Sequence, residues 1–251
     1  MKQRVTAPNK KKAARKKSSK APSRKSVKRR KPSAPEPQEF PISHAMLRAM
    51  YDAMVESRLW AQSRKLIPVI SEATAVASAA VLHAGDSLAA PADGRTLYPV
   101  TDRRAKIMPL DASKLRLACE KARRSRRGTV VAVFPSDVFD APIFQELVGE
   151  SVKRRWPLVC VLLSDRYCDP AAAIPEIDVD GHDVVAMFRV VSESVRRARN
   201  RRGPAVIHAH NSTDTQHPDP LGDPLVRFQR YLEAKGLTTQ RLHVVHKNVP
   251  A

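Results

Sequence analysis

Two short polar runs hold the side chains of this sequence best placed to do chemistry, Pro135-Ser136-Asp137 and Ser164-Asp165-Arg166-Tyr167. Each sits at the carboxyl end of an apolar, β-branched stretch, VVAVF (130–134) and PLVCVLLSD (157–165). Between them lie a turn, PSDVFDAP, and an amphipathic helix, IFQELVGESVKRRW. Strand, turn, helix and strand make a βαβ unit, and open parallel sheets take ligands in the crevice at the carboxyl ends of such strands. Ser136, Asp137, Asp165 and Tyr167 are therefore the candidate ligand-facing positions. The plainer reading of Asp137 and Asp165 is a pair of solvated residues at strand ends.

Other reactive residue types form no comparable constellation. His217 stands in a polar loop as Gln216-His217-Pro218. His208 and His210 share one face of a strand, and His243 and His246 lie three apart, but further converging metal ligands are not identifiable. The three cysteines, Cys119, Cys160 and Cys168, form no C-x-x-C pair, and Cys160 falls inside an apolar strand, as a core residue would. A reducing, cytoplasmic setting fits. There is no Ser/His/Asp or Cys/His nucleophile pattern. Only eight glycines occur, none in a G-x-G cluster, which argues against a backbone cradle for a diphosphate.

The elements that must position these residues begin after a compositional break. Residues 1–35 hold fifteen Lys and Arg and no acid, most of the net charge of +20. With almost no large apolar residue, residues 1–40 read as a disordered Lys/Arg-rich tail and linker, and 41–251 as the folded domain. Each phosphate contact releases counterions, so residues 2–31 are expected to bind nucleic acid without sequence preference, or to serve as a solubilising segment. No apolar run approaches the roughly eighteen residues that span a bilayer, and no secretory h-region is present.

Within the domain, Ser43 predicts a helix through HAMLRAMYDAMVESRLWAQSRK, and Ser71-Glu72 opens a small-residue helix, EATAVASAAVLHAG, ended by Gly85. Residues 86–110 read as irregular, and Ala112–Arg127 as a basic helix. Past the second strand come a short strand at Ile177–Val179, a helix Val184–Asn200 capped by Asp183, a strand Ala205–Ala209, and a closing helix, PLVRFQRYLEAKG. The alternation predicts a three-layer α/β domain with a mostly parallel sheet.

Read in order, these segments resemble the alpha subunit of the E1 component of the thiamine-diphosphate-dependent 2-oxo acid dehydrogenases, the pyruvate-dehydrogenase-like group. The resemblance runs over roughly residues 43–238. Tyr51, Met54 and Arg58 resemble that family's opening Tyr-x-x-Met-x-x-x-Arg, and Ser71-Glu72-Ala73 its Gln-Glu-Ala. Its Phe-His-Glu falls on Phe144-Gln145-Glu146 and its Leu-Pro on Trp156-Pro157. Ile174-Pro175 and Asp178-Val179-Asp180-Gly181-His182-Asp183-Val184 are similar to its Ile-Pro and Val-Asp-Gly-x-Asp-Val. Gly203-Pro204, Asp223-Pro224 and Tyr231–Leu237 match its Gly-Pro, Asp-Pro and Tyr-Leu-x-x-Lys-Gly-Leu.

The resemblance implies a thiamine-diphosphate-binding-like fold, Mg²⁺ as companion ion, and an E1 beta-like subunit or a second copy as partner, with no membrane. It also implies a diverged and shortened member. The family's Gly-Asp-Gly falls on Pro135-Ser136-Asp137, so Ser136 replaces the first metal-binding carboxylate. Its Asn-Asn-Arg-Tyr falls on Ser164-Asp165-Arg166-Tyr167, where Asp165 would be the metal ligand and Tyr167 would present its carbonyl. His217 falls on the histidine of its active-site loop and would be the catalytic residue. A cofactor-reaching Tyr-Arg pair falls near Ala92-Asp93, and the stretch from Gly94 to Gly128 is short by comparison. The expectation is an E1-alpha-like subunit with impaired cofactor binding or, alternatively, a non-catalytic dimerisation or binding module.

Overall fold

The computed structural model describes residues 42–65, 70–91, 105–125, 128–164, 174–210 and 222–237. The amino-terminal tail lies outside them. The first helix, α1 (His44–Ser63), starts where the Ser43 hydroxyl accepts the Met46 amide, and α2 (Glu72–Ala80) is capped in the same way by Ser71 on Thr74. Two short strands follow, β1 (Ser87–Ala90) and β2 (Lys106–Pro109), then α3 (Ala112–Ser125). The central unit is β3 (Val130–Pro135), a single helical turn α4 (Ser136–Phe139), α5 (Pro142–Arg154) and β4 (Leu158–Ser164). The chain closes with β5 (Glu176–Asp180), α6 (Val184–Arg199), β6 (Ala205–His210) and α7 (Pro224–Ala234).

All six strands pair in parallel, in the order β2-β1-β3-β4-β6-β5. Both faces of the sheet are covered, so the inner strands read as unbroken apolar runs rather than as alternation. Val131 and Val133 of β3 and Val159 and Val161 of β4 pack towards α1, α2, α6 and α7. Their neighbours Ala132, Phe134, Cys160 and Leu162 pack the other way, with Leu115 and Cys119 of α3 and Leu147 of α5. The three-layer parallel α/β architecture is thus the one the sequence predicts.

Three local expectations need correction. Residues 86–110 hold the two strands β1 and β2 rather than irregular chain. Ser-Leu-Ala-Ala and Lys-Ile-Met-Pro have little intrinsic strand character, and pairing orders them, β1 on β3 and β2 on β1. The second helix stops at Ala80, short of Gly85. Gly85 instead takes φ +95° in the turn before β1. A Cβ at nearby Gly128 would meet the Gly85 carbonyl at 2.9 Å, so the two turns close on each other. Finally, the segment after β3 is not a plain turn, since it contains α4. Edge-to-face packing of Phe139 on Phe134, at 5.5 Å between centroids, holds that turn of helix down.

Candidate functional site

The carboxyl edge of the sheet is where the predicted ligand-facing residues begin. Pro135 is the register partner of Leu163, so β3 and β4 end side by side at this edge. Ser136 opens α4, and Asp137 stands exposed on it. Pro135 has no N–H to offer a ligand. Asp165, Tyr167 and His217 lie outside the described residues, as do Ala92 and Asp93.

A divalent ion held against a diphosphate needs several oxygen donors in near-octahedral geometry. Among the described residues no group of three or more His, Cys, Asp or Glu side chains converges to hold an ion. Ser136 stands in a helical turn and Asp137 is exposed.

Most of the other motif positions have structural work. Phe144 is buried against Phe134, at 5.1 Å, and the Gln145 amide donates to the Phe139 carbonyl at 2.9 Å, joining α4 to α5. Glu146 reaches Arg116 of α3 at 3.7 Å. Trp156 is fully buried, and the Pro157 carbonyl accepts the Val130 amide.

What the sequence conceals is that residues from three distant segments meet in one ion network. Arg58 of α1 donates its Nε to Glu72 of α2 at 2.6 Å, and its terminal nitrogens to Glu72 and, as a fork, to both oxygens of Asp223 at 2.7 and 2.9 Å. Asp223 also caps α7, accepting the Leu225 and Val226 amides. Burial pushes the Asp223 carboxyl up, but the Arg58 hydrogen bond and charge outweigh it and, with the α7 amides, hold it below its ordinary value. Burial would likewise lower the Arg58 pKa, and its two carboxylate partners raise it instead.

Close by, Ser71 and Thr74 donate to the Gly181 carbonyl at 2.8 and 2.9 Å, tying the start of α2 to the end of β5. Arg227 of α7 pairs with Asp180 and reaches Asp183 at 3.4 Å. Burial again raises the Asp180 carboxyl, while the His182 amide and Arg227 bring it below the ordinary value. All of these residues but Thr74 and Arg227 stand at motif positions, and nothing local in the sequence signals that they converge.

The two β6 histidines are also less isolated than the sequence suggests. His208 meets Glu176 at 3.0 Å and His210 meets Asp178 at 2.8 Å, both across the β5–β6 ladder. His208 is 3% exposed, and its Nδ1 has no hydrogen-bond partner among the described residues. The signal available beforehand was a polar i, i+2 pattern in both strands; only the sheet register brings the two together.

Comparison with known proteins adds to this geometry. The model of the family described as "Dehydrogenase E1 component" matches residues 163–248, a stretch containing the described β5, α6, β6 and α7. Over that stretch the chain is similar to dehydrogenase E1 components, and its relatives there are E1 alpha subunits. Over 84 residues it is 34% identical to the pyruvate dehydrogenase E1 component subunit alpha of Staphylococcus epidermidis, covering 27% of this chain and 23% of that protein. Over 89 residues it is 35% identical to the 3-methyl-2-oxobutanoate dehydrogenase subunit alpha of Mycobacterium tuberculosis, covering 28% and 23%. The matches thus span under a quarter of the length of these curated relatives. A solved putative thiamin diphosphate-dependent enzyme from Mycobacterium smegmatis aligns with a TM-score of 0.44 at 14% identity, over 57% of this chain and 32% of that one. The matched segment contains Asp180, Asp183, Asp223 and Arg227, but not Pro135-Ser136-Asp137. No helix among the described residues is long and apolar enough to cross a membrane.

Proposed function

We propose that this chain acts as an E1-alpha-like subunit of a 2-oxo acid dehydrogenase of the pyruvate type, with impaired binding of thiamine diphosphate and Mg²⁺. The observation that carries the reading is the E1 match over residues 163–248. The impairment rests on Ser136 and Pro135, which stand where a carboxylate ligand and a flexible glycine would be needed. Asp165, as a hard carboxylate donor, and the Tyr167 carbonyl are the positions proposed to face the ion, with Asp137 beside them and His217 towards the substrate. The bound cofactor would supply the carbanion chemistry for decarboxylation. This chain's part is to frame it with β3 and β4 and to meet an E1 beta-like subunit or a second copy of itself. A cytoplasmic setting goes with this reading. Calorimetric titration with Mg²⁺ and thiamine diphosphate, of the chain alone and co-purified with a beta partner, tests it: weak binding that strengthens with the partner is expected. An absence of heat in both cases rules out the enzymatic role.

A second reading is favoured by the charge partition, fifteen basic residues in the first 35. In it the domain is a non-catalytic dimerisation or binding module, and residues 2–31 hold a polyanion such as nucleic acid. DNA retention by the full chain is then expected to exceed that of a chain beginning at Glu39, and equal retention would discard the idea.

A further inference from the structure

The opposite edge of the sheet carries a second charged feature. There the last turns of α3, α5 and α6 surround the starts of β3 and β4 and enclose a cleft of about 200 Å³. Five arginines line it: Arg123, Arg154, Arg155, Arg199 and Arg201. Two are satisfied within the protein. Arg199 pairs with the buried Asp86, and Arg154 with Glu150 at 2.8 Å and Glu120 at 3.4 Å. Arg123, Arg155 and Arg201 are exposed and make no ion pair or side-chain hydrogen bond among the described residues.

Offsetting the negative ends of three helix dipoles accounts for arginines inside the last turns, such as Arg123, Arg154 and Arg199. It does not account for Arg155 and Arg201, which lie beyond the final helical residue. Both adopt the left-handed conformation, with φ of 51° and 57°, where glycine or asparagine would be less strained. The sequence places a guanidinium on the cleft at both points despite that strain. Like charges held around one small space repel unless an anion lies among them.

We propose that this cleft is a phosphate-binding site, seating one phosphate or diphosphate group between Arg123, Arg155 and Arg201. The forked donors of arginine match phosphate oxygens in pairs, and three cations suit a group with more than one negative charge. The volume falls below the roughly 300–1,000 Å³ of sites that enclose a drug-sized ligand, and no aromatic ring lines it. The site therefore reads the phosphate and not a base. No residue of 1–40 lines it and it lies opposite the carboxyl edge of the sheet, so it depends on neither reading given above.

Titrating the full-length chain with inorganic pyrophosphate by calorimetry, and with a short DNA duplex by fluorescence anisotropy, separates a small phosphate ligand from a nucleic-acid backbone. The triple variant Arg123→Gln, Arg155→Asn, Arg201→Asn keeps residues tolerated at the left-handed positions. Its affinity for whichever probe the parent binds is expected to fall at least about thirtyfold, from the loss of charge-assisted hydrogen bonds. If the duplex binds, the slope of log affinity against log salt becomes shallower by about 3, close to one for each phosphate contact removed. Replacing Lys10, Lys11 and Lys12 by glutamine removes equal charge from the tail and leaves pyrophosphate affinity within about threefold, because none of these residues lines the cleft and salt screens charges outside it. Replacing the three cleft arginines by lysine, which keeps charge and fold but not the fork, gives an intermediate loss. Failure of the parent to bind either probe, or equal losses in the tail and cleft variants, overturns the proposal.

Discussion

Replacing Arg58 by methionine removes the one cation shared by Glu72 and Asp223 while keeping most of the aliphatic volume. The side chains of Arg58 and Glu72 are 16% and 13% exposed, so the guanidinium is largely withdrawn from water and Glu72 has little solvent to fall back on. Removing one partner of a buried pair costs about 3–5 kcal/mol, mainly through the charge left behind. Asp223 is 37% exposed and recovers part of its hydration, which brings the expected loss to about 2–4 kcal/mol at neutral pH. For a domain of this size that corresponds to a fall in Tm of roughly 5–15 °C. The pH dependence fixes the cause. Asp223 titrates below its ordinary value in the folded chain, so its contribution is present above the unfolded-state pKa and is lost as pH falls through the folded one. The gap between parent and variant should therefore be full at pH 7 and shrink below about pH 4, as the Asp223 carboxylate protonates. Urea unfolding of both proteins at several pH values measures this directly. A loss under about 1 kcal/mol at pH 7, or one that does not change on acidification, would refute the assignment of this network as the clamp joining α1, α2 and α7.

Three further perturbations follow from the same coordinates. Asp86 is 1% exposed and accepts the His83 and Thr129 amides at 2.6 and 2.8 Å while pairing with Arg199; Asp86→Asn should cost about 2–4 kcal/mol in denaturant unfolding. Gly128→Ala should destabilise by about 1–3 kcal/mol, because its Cβ meets the Gly85 backbone, whereas Gly149→Ala should stabilise by about 0.5–1 kcal/mol, since that position in α5 is open; paired thermal melts distinguish the two. Burial pushes the Cys160 thiol up to about 12 and raises Cys119 further, so mass-mapped alkylation at pH 8 should leave both unlabelled until the chain is unfolded.

The layered fold was legible because its inner strands are apolar on both faces and its helices carry caps at Ser43, Ser71 and Asp183 that the coordinates reproduce. The outer strands β1 and β2 were not, since four residues such as Ser-Leu-Ala-Ala become strand only by pairing with a neighbour. The one-turn helix α4 was hidden by Pro135-Ser136-Asp137, which reads equally well as a turn. At the site, one-dimensional pattern gave the two strand ends and their adjacency. It could not give the meeting of Arg58 with Asp223, 165 residues later, or of His208 with Glu176, because such pairs are created by tertiary register and leave no periodic trace. The arginine cleft escaped for the same reason, being assembled from the ends of three helices that are remote in sequence.

The two outermost strands of the sheet differ from its interior in a way that bears on self-association. One, β2, is four residues long, begins at Lys106 and stops at Pro109, which cannot donate to a further ladder. The other, β5, follows Pro175 and carries Glu176, Asp178 and Asp180 at every second position. Brevity with a terminal imino acid on one flank, and a row of like charges on the other, are features that discourage a neighbouring molecule from adding its own strand. Both edges are thus poorly suited to extending the sheet from one molecule into the next.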